Sequence, residues 1–318
     1  MKKAVITVPF NEAQKARVVA AAKGLELEFM DNSALTEEIV NSSDVLVGMI
    51  SPKLLHAPER LELLQLASAG ADAHVSETVV APHTVICNST GAYSQAVAEH
   101  AFALTINLQK KLYLYRDAQA QHSWTDFGMV GSLNGATVLI IGLGDIGASY
   151  ARMVKSMGAK VIGVRRRPAT LPDYLDELHL QDSVDELLPL ADVVVSIMPQ
   201  TKDTIHFFTA ERFALMKKSA LFINVGRGTA VEMNVLAEAL TGGQIAAAAV
   251  DVLEQEPLCS DSALWDIPNL VITPHIAGFN HHPSIVERIC EITCENLRRY
   301  SEGRDFINVV DRKTGYKA

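Results

Sequence analysis

The stretch Thr137-Val138-Leu139-Ile140-Ile141-Gly142-Leu143-Gly144-Asp145-Ile146-Gly147 decides the fold. A strand-like apolar run leads directly into Gly-x-Gly-x-x-Gly, and residues 147–157 then read as a helix. Three glycines at this spacing carry little weight alone. The strand before, the helix after and a second strand at 160–164 make the pattern specific for a dinucleotide-binding turn. Gly142 permits the tight turn, Gly144 lets the backbone approach a pyrophosphate, and Gly147 lets the helix pack close to the strand. The helix start then offers free N–H groups and the positive end of its dipole to phosphates.

The second strand of such a unit ordinarily ends in Asp or Glu, which hydrogen-bonds the adenosine ribose diol. Here it ends in Val164-Arg165-Arg166-Arg167-Pro168. No carboxylate is present to repel a 2′-phosphate, and guanidinium forks bind phosphate bidentately. The turn therefore predicts NADP(H) over NAD(H), with Arg165 and Arg166 as the contacts and NAD as the weaker alternative.

Outward from this unit, short β-branched runs alternate with helical stretches in both directions. Strands are expected at 4–8, 44–50, 63–67 and 85–87 in the first part. Further strands are expected at 137–142, 160–164, 193–197, 220–225, 246–252 and 270–273. The runs of the second part are apolar on both faces, as a parallel sheet covered by helices requires. Residues 12–23 read as a helix stopping at Gly24. Residues 95–121, without Gly or Pro, read as one long helix, and 284–300 as a helix that stops at Gly303.

The length of 318 residues implies two domains at about 150 residues each. With 48 % hydrophobic and 20 % charged residues, the chain can bury a large core and is not disordered. Formal charge is 28 − 37 = −9, which disfavours nucleic acid and anionic membrane as partners. No apolar run approaches about 18 residues, and the first residues lack the apolar length of a signal peptide. A cytoplasmic protein is expected. The four cysteines are too few and scattered for a disulfide scaffold. Cys290 and Cys294 sit at i, i+4 without further ligands, so they read as core, and no metal is expected.

Three more segments at expected strand ends complete a pattern. They are Ile223-Asn224-Val225-Gly226-Arg227-Gly228, the run from Val250-Asp251 to Glu256-Pro257, and Thr273-Pro274-His275-Ile276-Ala277-Gly278. With the glycine loop, and with Ala67-Ser68-Ala69-Gly70-Ala71-Asp72, Ala96-Val97-Ala98-Glu99-His100 and Leu264-Trp265, they resemble the D-isomer-specific 2-hydroxyacid dehydrogenase family over essentially the whole chain.

The resemblance implies an α/β fold of two doubly wound parallel-sheet domains, with a Rossmann cofactor domain inserted into a flavodoxin-like substrate domain. Residues 1–93 and 283–318 would form the substrate domain and 94–282 the cofactor domain, with a cleft closing over substrate. It implies Arg227, Glu256 and His275 as the catalytic set. A guanidinium can grip a 2-oxo acid's carboxylate and polarise its ketone. A histidine can donate the proton that reduction demands, and a neighbouring carboxylate favours its cation and holds its orientation.

By the same resemblance, cofactor contacts come from Gly142, Gly144, Asp145, Ile146, Gly147, Met198, Pro199, Thr204, Val225, Gly226, Arg227, His275 and Ala277. Asp251 would hold the nicotinamide amide. Backbone N–H groups near Ala69 and Gly70 would clamp the substrate carboxylate. Arg227 and His275 would also touch substrate, and Tyr93 is placed like a substrate-side tyrosine. Met49 and Phe279 are further pocket candidates, and His281 and His282 read as hinge residues. The helix at 95–121 would contribute to a homodimer.

The activity implied is hydride transfer between NADP(H) and a small 2-oxo or 2-hydroxy acid of D configuration: glyoxylate, hydroxypyruvate, pyruvate or a branched 2-oxo acid. Two alternatives accompany it: a dinucleotide-sensing corepressor-like binding protein, and a phosphite or formate dehydrogenase on the same fold.

Overall fold

The structure, a computed structural model, describes residues 1–278, 282–313 and 315–317. The chain divides into two compact units, Met1–Tyr93 with Asn280–Ala318, and Ser94–Phe279. The expected second boundary, at 282, lies three residues after the observed 279.

The first unit holds β1 (Lys2–Ile6), α1 (Glu12–Ala21), β2 (Leu25–Phe29), α2 (Glu37–Ser42), β3 (Val45–Gly48), β4 (Leu63–Leu66) and β5 (Val85–Cys87). These strands form one parallel sheet in the order β2-β1-β3-β4-β5, the flavodoxin-like arrangement. β3 and β4 are buried throughout, whereas β2, on the edge, alternates half-buried Leu25, Leu27 and Phe29 with exposed Glu26 and Glu28. That polar alternation hides β2 from a search for apolar runs. Asn11 opens α1 with a capping box, its side chain accepting from Gln14 N while the Gln14 side chain accepts from Asn11 N.

The second unit begins with α3 (Ser94–Gln109) and α4 (Leu112–Ala120). These replace the expected single helix. Lys111 takes a left-handed φ of 54°, and the ammonium groups of Lys110 and Lys111 donate to Gly131 O and Phe127 O at 2.7 and 2.5 Å. The chain after α4 thus holds the break in place, which no Gly or Pro signals.

The unit continues through β6 (Thr137–Ile141), α5 (Asp145–Ser156), β7 (Lys160–Arg165), β8 (Glu177–Leu180), α6 (Val184–Leu187), β9 (Val193–Ser196), α7 (Ala210–Leu215), β10 (Leu221–Asn224), α8 (Met233–Thr241), β11 (Ala247–Val250) and β12 (Leu270–Ile272). The sheet is parallel in the order β12-β11-β10-β9-β6-β7-β8. The order reverses beside β6, and ligands of such sheets bind where carboxyl strand ends meet that switch point. Its core is built from the helix-facing residues of β6, β7, β9 and β10 with Phe208, Phe213 and Phe222.

The chain then returns to the first unit. There α9 (Pro283–Glu302) packs on α1, and buried Asn296 donates to Gln65 Oε1 of β4 at 2.6 Å. The short antiparallel pair β13 (Val310–Asp311) and β14 (Tyr316–Lys317) follows. No described helix is long and apolar enough to cross a membrane.

Candidate active site

Every described candidate of the second unit stands at a carboxyl strand end of its sheet. Residues 142–147 follow β6, 198–204 follow β9, 225–227 follow β10, 251–256 follow β11 and 275–277 follow β12. Because the strands are parallel, these loops share one edge.

The glycines of the first loop differ in what surrounds them. Gly142 has φ +104°, and a Cβ there would meet Ile197 O at 2.5 Å. A Cβ at Gly147 would meet Gly142 O at 2.7 Å, so α5 could not approach β6 as it does. A Cβ at Gly144 would meet nothing within 4 Å, and no side chain caps α5. A helix start facing open space, with Asp145 and Ile146 opening its first turn, fits a phosphate-binding cradle. Half-buried Arg165 ends β7 and exposed Arg166 follows it. These donors suit an anion larger than a ribose diol.

His275 and Glu256 meet as a pair. His275 Nδ1 lies 2.7 Å from Glu256 Oε2, and Glu256 Oε1 accepts from Leu253 N at 2.9 Å. A carboxylate only accepts, so Nδ1 carries the proton and Nε2 is left to exchange one. Glu256 thus sets the tautomer and orientation of the ring, and both side chains remain partly open to solvent.

The backbone at His275 is strained, with φ 53°. Its N–H donates to Asp251 O at 2.7 Å. The Asp251 side chain secures the same turn: Oδ1 accepts from Thr273 Oγ1 at 2.6 Å and from Ile276 N at 3.0 Å, and Oδ2 accepts from Ala277 N at 3.0 Å. Asp251 is only 2 % exposed. Both oxygens accept from the protein's own donors, so Asp251 holds the His275 turn.

Arg227 is half-buried, with Nη1 donating to Gly226 O at 3.0 Å. Its carbonyl accepts from Asn224 Nδ2 at 3.0 Å. Gly228 lies so close to Leu253 that a Cβ would fall 2.0 Å from its carbonyl carbon. This contact packs the Arg227 turn against the loop carrying Glu256. Val225 is buried, and a Cβ at Gly226 would meet Met198 O at 2.6 Å. The Met198 side chain joins the core, and Thr204 Oγ1 donates to Pro199 O at 2.6 Å. Met198 and Thr204 thus shape the loop after β9 from within.

In the first unit, Ala69 and Gly70 lie in the loop after β4. Tyr93 OH donates to Ala67 O at 2.6 Å, and burial pushes this phenol up to about 12. Its proton is thus engaged within the unit. Met49 follows β3 and is exposed. His282 caps α9, its Nδ1 accepting from Ser284 N at 3.3 Å. Phe279 and His281 lie outside the described residues. All four cysteines are free, with Cys290 and Cys294 buried on α9. Among the described residues, no group of three or more His, Cys, Asp or Glu is arranged to hold a metal ion.

Some supporting residues carry no local signal. His100 of α3 places Nε2 3.0 Å from Thr273 Oγ1 and 3.5 Å from Asp251 Oδ1. His206 bridges Glu232 Oε1 at 3.0 Å and Glu254 Oε1 at 2.8 Å, and Glu254 shares the loop of Glu256. Their partners lie far along the chain, so no spacing announces these contacts, although His100 itself stands in the 96–100 segment.

Comparison with known proteins agrees with this arrangement. The family model of the D-isomer specific 2-hydroxyacid dehydrogenase NAD binding domain matches residues 102–277, more than half of the chain. Glyoxylate/hydroxypyruvate reductase B of Salmonella typhi is 30 % identical over 311 residues, covering 95 % of this chain and 89 % of that one. A D-isomer specific 2-hydroxyacid dehydrogenase family protein from Aeromonas salmonicida is 31 % identical with a TM-score of 0.85, covering 98 % of this chain and 99 % of that chain. A D-isomer specific 2-hydroxyacid dehydrogenase from Xanthobacter autotrophicus, solved with NADPH and MES, is 26 % identical with a TM-score of 0.82, covering 99 % of both chains. The chain belongs to the D-isomer specific 2-hydroxyacid dehydrogenase family, as an NAD(P)-binding oxidoreductase with a Rossmann unit.

Proposed function

We propose that the protein is an NADP(H)-linked reductase of a small 2-oxo acid, of the glyoxylate or hydroxypyruvate class, working in the D configuration. The observation that carries this reading is the His275–Glu256 pair, with its Nδ1 proton fixed at 2.7 Å on the strand-end edge that also bears Arg227. The name of the Salmonella relative and the NADPH bound by the Xanthobacter protein support the substrate class and the cofactor. The basic turn at Arg165 and Arg166 supports NADP(H) from the chain itself. In this reading 94–282 serves the cofactor, and 1–93 with 283–318 serves the substrate.

When bound at the Gly142–Gly147 loop, the dinucleotide supplies a hydride to the ketone carbon. Arg227 holds the substrate's carboxylate and polarises the carbonyl by charge-assisted hydrogen bonds. His275 Nε2 gives a proton to the carbonyl oxygen, and Glu256 keeps the ring aimed while the proton leaves. The open N–H groups of Ala69 and Gly70 suit a carboxylate.

A panel of 2-oxo acids with NADPH and NADH tests the proposal. Turnover of glyoxylate or hydroxypyruvate, with kcat/KM higher for NADPH, is the expected result. Replacing both Arg165 and Arg166 by Ala lowers kcat/KM for NADPH by about 100-fold or more and leaves NADH nearly unchanged, since each charge-assisted contact contributes about 1.5–3 kcal/mol. Tight NADPH binding without turnover on the whole panel would replace the enzyme by a dinucleotide-sensing binding protein. The same reading includes a homodimer, supported by Trp124 and Met129 standing exposed after α4. Sedimentation at micromolar concentration reads this directly.

A further inference from the structure

The loop after β4 has an unusual distribution of hydrogen bonds. Five consecutive carbonyls, from Leu66 to Gly70, each accept from a donor. Leu66 O takes Gln65 Nε2 at 3.0 Å and Ser89 Oγ at 2.8 Å. Ala67 O takes Tyr93 OH at 2.6 Å, and Ser68 O takes Ser89 N at 2.8 Å. Ala69 O takes Asn88 Nδ2 at 2.7 Å, and Gly70 O takes Ser68 Oγ at 2.6 Å.

The donating segment is itself anchored. Asn88 is fully buried; its Oδ1 accepts from Thr90 Oγ1 at 2.8 Å, and its N–H donates to Asn308 O at 3.1 Å. Asn308 Nδ2 in turn donates to Thr90 O at 2.9 Å.

The opposite side of the loop is bare. The N–H groups of Ser68, Ala69 and Gly70 have no acceptor among the described residues, although all three residues are only half-buried. A main-chain run with its acceptors filled and its donors open suits an anion, and its ability to discriminate depends on how firmly it is held.

We infer, on the functional reading above, that Tyr93 and Asn88 are positioning residues for the substrate carboxylate: they hold the carbonyls of the 66–70 loop so that its N–H groups stay aimed at the anion. Neither side chain touches substrate in this account. Tyr93 thus acts on KM for the 2-oxo acid through Ala67 O, and not as an acid.

Tyr93→Phe removes one donor and keeps the ring, so the protein stays folded; Ser68→Ala, which releases Gly70 O, provides a second variant of the same brace. Two readouts are taken on wild type and both variants. The first is steady-state kinetics with glyoxylate and NADPH. The second is hydrogen–deuterium exchange of the peptide spanning 66–71.

Each variant raises KM for glyoxylate about fivefold, as loss of one net hydrogen bond predicts. KM for NADPH stays within twofold, kcat falls less than KM rises, and exchange at 66–71 accelerates without a change elsewhere in the sheet. A change in general stability would lower the folded fraction and so the apparent kcat, leaving both KM values unchanged. Unchanged KM for glyoxylate in both variants, with an active wild type, overturns the brace and leaves the functional reading intact. Faster exchange with unchanged KM likewise overturns the positioning role. A wild type that reduces no 2-oxo acid overturns the functional reading and this inference with it.

Discussion

Replacing Asp251 by Asn separates two roles for the same carboxylate. In the structure its oxygens accept from Thr273 Oγ1, Ile276 N and Ala277 N, at 2.6, 3.0 and 3.0 Å. An amide offers one acceptor oxygen and an NH2 group. Whichever way it turns, at least one of the two main-chain donors faces another donor. Losing one hydrogen bond to a charged acceptor costs about 1.5–3 kcal/mol, and Ala277 is buried, so water does not restore it. His275 needs that support because its φ of 53° is unfavourable for a residue with a Cβ.

If about 2–3 kcal/mol falls on the productive orientation of His275, kcat drops about 30- to 150-fold. Steady-state kinetics with glyoxylate and NADPH measure this, alongside a fluorescence titration of NADPH. The expected result is a large fall in kcat with Kd for NADPH within threefold. An unchanged kcat with NADPH binding weakened tenfold would refute the turn-anchoring role and return Asp251 to the nicotinamide amide.

Three further outcomes are expected. His275→Gln lowers kcat by about 10²–10⁴, the usual worth of a positioned proton donor, while NADPH affinity stays within twofold by titration; an unchanged kcat removes His275 from proton transfer. Gly144→Val keeps the wild-type melting temperature, since a Cβ there meets nothing within 4 Å, yet weakens NADPH binding more than tenfold by filling the cradle; equal affinity shows that no phosphate approaches that point. At Asp44, burial pushes the carboxyl up, but Arg60 and the Lys3 N–H outweigh it and hold it below its ordinary 3.8. Stability from a depressed carboxyl is present above that value and lost as pH falls through the native one. The gap in melting temperature between wild type and Asp44→Asn therefore closes on acidification below about pH 4, and a gap independent of pH would show that the charge is not its source.

Much of this site was legible residue by residue. Gly142, Gly144 and Gly147 announce themselves because tight turns and close approaches exclude other side chains, and the bulk at 2.5 and 2.7 Å around the first and third shows why. Arg227, Glu256 and His275 stand in short motifs at strand ends, where parallel sheets gather their ligands. Asp251 was legible as important, but its hold on the His275 turn was not, because two of its partners are main-chain N–H groups that every sequence has. The bond from Tyr93 OH to Ala67 O was not legible, since the direction of a hydroxyl follows from packing. The edge strands β2 and β8 were missed for a related reason: an edge is half solvated, so its composition resembles that of a loop.

By itself the sequence determined the α/β class, the alternation of apolar strands and helices, the glycine turn with its basic neighbour, and which side chains are candidates for acid–base chemistry. Those properties depend on neighbours within a few residues, through steric exclusion at glycine and periodic burial of apolar groups. Only the tertiary structure decided the strand orders, the break at Lys111, and the hydrogen bonds that hold His275 and the 66–70 loop. Hydrogen bonds join groups brought together from distant parts of the chain, such as Asn88 with Ala69 or His100 with Thr273, and their directions are set by the backbone once it has folded.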